Sequence, residues 1–358
     1  MNDAVEGPVA LSLVICTFHR EKLLRKALDS VAVQRAPAGF ALEIVVVDNS
    51  DDSSARDVVQ EFAANSRFPT RLVEAHPPNI SIARNAGVGA CVGQAIAFLD
   101  DDQEIAEGWL VEVAEALCDL PHDAFFGAVH PVFETPARAG ARARQLFSRA
   151  LDAPRGVDLV AFGPLKTTTV ALATNNSVFR RASLPQDGRL FDLAFGNGGG
   201  EDYDLICRMQ RDGCRFGWLP EARAQEFVPA ARCDAAYLRR RFFAGGQAYA
   251  AAVANASGRP RLARWTIRVR AVAQALLLLA RLPFARIRGV DTLADNLQAL
   301  AGARGKLGPE AVYDVLRHAL TSPAPKPHYI VTKPARRGVL LKRLLPSGLF
   351  YRILGSLG

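Results

Sequence analysis

Between residues 10 and 120 the chain alternates short apolar runs with amphipathic stretches, and two of the apolar runs end in carboxylates. ALSLVICT (10–17) is a β-branched run. It is followed by REKLLRKALDSVAVQ (20–34), in which Leu23, Leu24, Ala27, Leu28 and Val31 recur at helical spacing. ALEIVVVDNS (41–50) is apolar without alternation up to Asp48, as a strand buried on both faces must be. SSARDVVQEFAAN (53–65) reads as a helix with a Ser cap, RLVEA (71–75) as a short strand and SIARNAGVGACVG (81–93) as a small-residue helix. QAIAFLDDD (94–102) is a further strand and EGWLVEVAEALCDL (107–120) a further helix. Strand–helix alternation with short links implies an α/β fold, a mostly parallel sheet wrapped by helices. In open sheets of this kind ligands lie beyond the carboxyl ends of the strands. Asp48 and the Asp100–Asp102 cluster are therefore expected at one rim.

Beyond residue 130 the pattern loosens. PARAGARARQLFSRALDAPRG (136–156) is Arg-rich and reads as helix or loop, and TTTVALATNNSVFRR (167–181) as a strand running into a turn. A glycine-rich loop then opens into a helix at GNGGGEDYDL (196–205), and RFGWLPEARAQEFVP (215–229) gives one or two short strands that close the α/β body. Charge divides at the same place. Up to residue 228 there are 22 Lys+Arg against 31 Asp+Glu, a balance of −9; from residue 229 there are 22 against 5, a balance of +17. A basic tail of that size suits a polyanionic neighbour, a nucleic acid or an anionic membrane surface. Within it, residues 261–289 carry an apolar centre interrupted by Gln274 and flanked by arginines. That centre is too short to span a bilayer and fits a helix lying in the interface. The expected division is an α/β domain over 1–245 and a basic helical region over 246–358. The six cysteines show no C-x-x-C spacing, so they read as reduced thiols rather than a disulfide framework or a zinc cluster. The acidic N-terminus MNDAVEGPVA lacks an apolar core, so a cytoplasmic location is expected.

Four segments carry groups capable of chemistry. Asp100, Asp101 and Asp102 follow an apolar strand directly, and three adjacent carboxylates repel unless a cation or donors compensate them. They fit a site for Mg2+ with substrate phosphates, and equally a solvated helix N-terminus. Glu201 and Asp202 begin a helix after Gly198, Gly199 and Gly200. They read as an ordinary acidic cap or as a general base on a pliable loop, with Glu201 and Asp204 raising the pKa of Asp202. Arg84 in NISIARNAG is a cation positioned to pair with Asp48 or Asp100, and Thr17, Phe18, His19 and Arg20 follow the first strand.

Taken together, CTFHR, VVVDNS, NISIARN, DDDQEIAEGWL, FDLAFGNGGGED and LRRRFFAGG resemble, in order and rough spacing over residues 10–250, the inverting family 2 glycosyltransferases of GT-A fold. The detail is similar to the succinoglycan-type exopolysaccharide glucosyltransferase (ExoM) subgroup. The Q-x-x-R-W signature of processive synthases is not matched; LARWTIR holds Arg264 and Trp265 without the glutamine. The resemblance implies that Thr17, Phe18 and Arg20 line the nucleotide, that Asp48 meets the base, and that Arg84 lies near the nucleotide. It further implies that Asp100, with Asp101 beside it, faces the ribose and diphosphate, that Asp102 with Asp100 holds Mg2+ or Mn2+, and that Asp202, with Glu201 beside it, is the base. The implied donor is a UDP-sugar, glucose in the nearest subgroup. The implied acceptor is a polyprenyl-diphosphate-linked glycan at the inner face of the cell membrane, where the basic tail would associate. Two competing classes are a nucleic-acid-binding protein, suggested by a pI of 9.4, and a sugar nucleotidyltransferase. Acidic clusters at the rim and few aromatic residues in the tail argue against the first. The second needs a Gly-rich, Lys/Arg-bearing triphosphate loop after the first strand, and CTFHRE supplies none.

Overall fold

The computed structural model describes residues 10–163, 171–186, 190–195, 199–288 and 290–306, with the side chains of 279–294 and 304 left aside. The chain has a GT-A-type α/β fold. Its first half is built as the periodicity requires: β1 (Leu11–Thr17), α1 (Glu21–Ala32), β2 (Leu42–Asp48), α2 (Arg56–Asn65), β3 (Thr70–Glu74), α3 (Ile80–Ala90), β4 (Ala95–Asp100), β5 (Gln103–Ile105) and α4 (Trp109–Asp119). Then come β6 (Ala124–Phe133), α5 (Ala141–Phe147), β7 (Asp158–Leu159), β8 (Ser177–Arg180), α6 (Glu201–Arg211) and β9 (Phe216–Val228). The described residues end in three helices, α7 (Ala235–Ala256), α8 (Pro260–Arg288) and α9 (Val290–Gly305).

One sheet runs β3-β2-β1-β4-β8-β6-β9-β5, with β7 on β9. β3, β2, β1 and β4 are mutually parallel, while β8 enters antiparallel between β4 and β6. The register aligns Thr17 with Asp48 and Cys16 with Asp100, so the carboxyl ends of three neighbouring strands share one rim. Every residue of β2 is buried, as its unbroken apolar run demands of a strand covered on both faces. Along β1 the period of two separates the faces. Leu11, Leu13 and Ile15 pack with Leu24, Leu28 and Trp109, whereas Val14 packs with the core of Phe98, Phe126, Phe179 and Leu205. Each such side chain contributes about 1.5–3 kcal/mol on burial.

The small residues of α3 are needed for close approach. A Cβ at Gly87 would lie 2.7 Å from Val14 Cγ1 and 3.0 Å from Val47 Cγ2. Asn79 starts this helix, accepting from the N–H groups of Ser81 and Ile82. The start of α2 differs from the Ser cap expected. Ala55 is the N-cap, with no side-chain cap bond of its own, and the Ala55 N–H donates to Asp48 Oδ2 at 2.7 Å.

The segment 215–229 forms one thirteen-residue strand instead of two short ones. The turn in TTTVALATNNSVFRR precedes its strand rather than following it, at residues 174–176, and residues 167–170 lie outside the described set. α7 runs unbroken through residue 245, the position expected to separate two regions. It packs on α6, with Tyr203 and Tyr249 stacked at 5.9 Å and Asn255 Nδ2 donating to Asp204 Oδ1 at 3.3 Å. Expectations for residues 307–358, including Leu344, Leu345 and Phe350, fall outside the described residues.

Candidate active site

A cleft of about 770 Å³ opens beyond the carboxyl ends of β1 and β4 and is closed on the opposite side by the N-terminus of α6. Thr17, Phe18, Arg20, Arg84, the Asp100–Asp102 cluster, Glu201 and Asp202 all line it. Of the ten side chains expected at the site, nine line this cleft and Asp48 does not; Glu226 and Arg232 line it as well.

Asp48 does not line the cleft. It is fully buried, and its oxygens accept from Ser50 N (2.9 Å), Ser50 Oγ (2.6 Å) and Ala55 N (2.7 Å). Its carboxylate therefore holds the loop after β2, and the next residue, Asn49, faces the cleft.

The three aspartates have separate environments. Asp101 accepts from Thr17 Oγ1 at 2.8 Å and from Arg20 Nη1 at 2.8 Å. Asp102 lies between two guanidiniums, Arg20 Nη1 at 3.2 Å and Arg232 Nη1 at 3.3 Å. Asp100 keeps 41% of its side chain open to the cleft, with Arg84 Nη2 at 3.9 Å. Burial pushes all three carboxyls up. Asp100 reaches about 6, where Arg84 opposes the rise and Asp102 and Asp202 add to it.

On the facing wall, Gly200 caps α6 in the left-handed region at φ 105°, and a Cβ there would meet Ala248 Cβ at 2.5 Å. Only glycine satisfies both constraints. The next two residues separate in role. Glu201 is 4% exposed and ion-paired with Arg84, and its Oε2 has no hydrogen-bond partner. Asp202 is half-buried, lines the cleft, and accepts from the Tyr203 N–H at 2.7 Å. The ion pair fastens α3 to α6 across the cleft, and Arg84 finds Glu201 in addition to the Asp100 expected from sequence. Gly198 lies outside the described residues.

Three cleft residues carried no recognisable sequence signal. Glu226 on β9 is buried beside Asp102 and Asp100; burial, then those two charges, push it up to about 8. Arg232 follows β9 and reaches Asp102 and, at 3.9 Å, Glu226. Arg149 is 4% exposed and donates to the carbonyls of Gly127, Ala173, Asn175 and Asn176 and to Asn175 Oδ1, which uses all five of its N–H donors. Burial lowers it to about 10. It fixes the 173–176 wall without a hydrogen left for a ligand.

The donor set fits a hard divalent cation. Asp100, Asp102 and Glu226 offer only carboxylate oxygens; burial first, and the neighbouring carboxylates after it, raise all three despite the nearby Arg20, Arg84 and Arg232. Among the described residues no three His, Cys, Asp or Glu close around one point. A divalent cation here would be held by one or two of these carboxylates, with the rest of its shell left to substrate phosphates and water.

The profile of Glycosyl transferase family 2 matches residues 12–183. The succinoglycan biosynthesis protein ExoM of Rhizobium meliloti (strain 1021) is 30% identical over 239 residues, covering 67% of this chain and 74% of that protein. The GalNAc(5)-diNAcBac-PP-undecaprenol beta-1,3-glucosyltransferase of Campylobacter jejuni is 32% identical over 101 residues, covering 28% of this chain and 32% of that one. Among solved structures, the mannosyltransferase PcManGT of Pyrobaculum calidifontis, in complex with GDP-Man and Mn2+, superposes with a TM-score of 0.51 at 19% identity over 84% of this chain and 88% of that one. S. aureus TarS 1-349 with UDP-GlcNAc gives 0.50 at 15% identity over 87% of each chain. With that relationship spanning most of both chains, and the fold shared with known nucleotide-sugar enzymes, this chain is a glycosyltransferase and belongs to glycosyl transferase family 2.

Proposed function

We propose that the enzyme transfers a sugar, glucose, from a UDP-sugar to a hydroxyl of a polyprenyl-diphosphate-linked glycan in exopolysaccharide or cell-surface polysaccharide synthesis, with inversion at the anomeric carbon. The observation that carries this reading is the opposition of Asp202, at the N-terminus of α6, to the Asp100–Asp102 cluster across one cleft. The donor class draws support from the TarS complex with UDP-GlcNAc, and the acceptor class from the undecaprenol-linked glucosyltransferase.

In this account Phe18, 48% exposed at the cleft mouth, offers a ring face to the base. Thr17 and Arg20 fix Asp101, and Asp48 shapes the base pocket through the Asn49–Ser50 backbone that it holds. Asp102 and Asp100 would hold Mg2+ or Mn2+, which would supply Lewis-acid neutralisation of charge on the departing diphosphate. Arg20 and Arg232 give up part of their hold on Asp102 to the incoming phosphates. Asp202 takes the proton of the acceptor hydroxyl as that oxygen attacks the anomeric carbon from the face opposite the leaving group. An α-linked donor therefore yields a β-glycoside. Glu201 cannot serve as the base while Arg84 neutralises it; it positions the N-terminus of α6.

A donor screen by nucleotide release, with purified protein and Mn2+ or Mg2+, tests the reading. Release from UDP-glucose above other donors, abolished by EDTA, is expected. Release only from donors built on another nucleotide would overturn the UDP assignment.

A further inference from the structure

α8 has two opposed faces. At about 100° per residue, Ile267, Ala271 and Leu278 turn inward and are 8%, 1% and 9% exposed. Opposite them, at alternating steps of three and four, lie Leu262, Trp265, Val269, Val272 and Leu276, with Leu277 beside the last, all between 43% and 62% exposed. Single exposed apolar residues are ordinary, but six large ones along one helical stripe mark a docking surface. The same helix carries seven arginines (Arg261, Arg264, Arg268, Arg270, Arg281, Arg286 and Arg288) and no Asp or Glu. No helix among the described residues is long and apolar enough to cross a membrane.

We propose that this outward face of α8 docks, lying in the plane, on an anionic membrane surface. The stripe buries at the headgroup boundary, with Trp265 at the depth where its amphipathic ring is favoured, and the positive charge of the helix meets lipid phosphates. Charge decides between lipid and a second copy of this chain. Pairing two copies would set a helix with seven arginines and no carboxylate in its sequence against its own like, whereas an anionic leaflet complements that charge. The structure refines which leucines take part: Leu276 and Leu277 face outward, while Leu278 faces the bundle. Because α8 packs on α7 and α7 on α6, docking ties the membrane face to the helix that bears Asp202. The inference extends the lipid-linked acceptor reading by placing the cleft where such an acceptor lies, but docking itself does not require that reading.

The chain contains its own probe. Of its three tryptophans, Trp109 and Trp218 are each 1% exposed and Trp265 is 62% exposed. Adding vesicles of phosphatidylcholine with phosphatidylglycerol to the full-length protein at low salt is expected to shift tryptophan emission to the blue. It should also shield the fluorescence from acrylamide and carry the protein into the vesicle pellet. Pure phosphatidylcholine vesicles should do so far less. Trp265→Phe should abolish the spectral change while the protein still sediments. Leu276→Ser combined with Leu277→Ser should weaken partitioning roughly tenfold or more, since both leucines lose their burial. Donor hydrolysis by that double variant should match the wild type, so loss of docking is distinguished from failure of the glycosyl-transfer reading. Three results would overturn the proposal: protein that stays in the supernatant with an unshifted spectrum, a blue shift that appears on concentrating the protein without vesicles, or full sedimentation of the double serine variant.

Discussion

Arg84→Met is the perturbation whose consequences the structure defines most fully. The guanidinium is buried and pairs with Glu201, whose side chain is 5% exposed and whose second oxygen already lacks a partner. Removing Arg84 leaves that carboxylate buried and uncompensated, at a cost of about 3–5 kcal/mol. Against a total stability on the order of 5–15 kcal/mol, this is a large fraction. Glu201→Gln should cost less, about 1–3 kcal/mol, because Arg84 retains Asp100 at 3.9 Å. The double variant should be more stable than Arg84→Met alone, since it removes the orphaned charge. Burial and Asp202 already push Glu201 up, with Arg84 opposing. Without Arg84 its pKa rises further, so the penalty is largest at neutral pH, where the carboxylate is ionised. It shrinks as falling pH protonates the group. Urea unfolding of the four proteins at pH 5 and pH 7.5 measures these differences. A loss under about 1 kcal/mol for Arg84→Met, or a double variant less stable than both singles, would refute the reasoning.

Asp102→Asn should lower Mn2+ affinity, read by a binding titration, by roughly tenfold or more with the fold unchanged by circular dichroism. Glu226, pushed up to about 8 from an ordinary 4.5, keeps a proton that the unfolded chain releases, so wild-type stability falls as pH rises between those values. Glu226→Gln removes that slope, and its advantage in Tm over the wild type in metal-free buffer should grow from pH 5 to pH 8. Gly200→Ala should cost about 1–3 kcal/mol in urea unfolding and slow transfer, because its Cβ would lie 2.5 Å from Ala248 Cβ on a backbone at φ 105°.

The front half of the fold was readable because each of its elements declares itself locally. Leu24, Leu28 and Val31 bury one stripe of α1, and the unbroken run of β2 announces burial on both faces. What depends on distant partners was not readable. β8 inserts antiparallel between β4 and β6, and no local pattern in SVFR specifies those neighbours. The Ser cap of α2 failed because Asp48, seven residues before Ala55, supplies the acceptor through the loop. The site divided in the same way. The carboxylate cluster and the glycine-rich loop are contiguous in sequence. Glu226 and Arg232, however, reach Asp102 only because β9 pairs antiparallel with β5, opposing Gln103 to Glu226. Glu201 and Asp202 are adjacent and chemically alike, and only burial against Arg84 tells them apart.

Turnover of Asp202→Asn tests the central claim most directly. Nucleotide release from UDP-glucose with Mn2+ and acceptor should fall roughly 10²–10⁴-fold relative to the wild type. UDP affinity by calorimetry should remain within about threefold, because the proposed mechanism gives Asp202 the acceptor hydroxyl and leaves the nucleotide to residues across the cleft. Glu201→Gln should retain more activity than Asp202→Asn. Near wild-type turnover in Asp202→Asn, with the loss transferred to Glu201→Gln, would contradict the assignment of the base and with it the reading of the cleft.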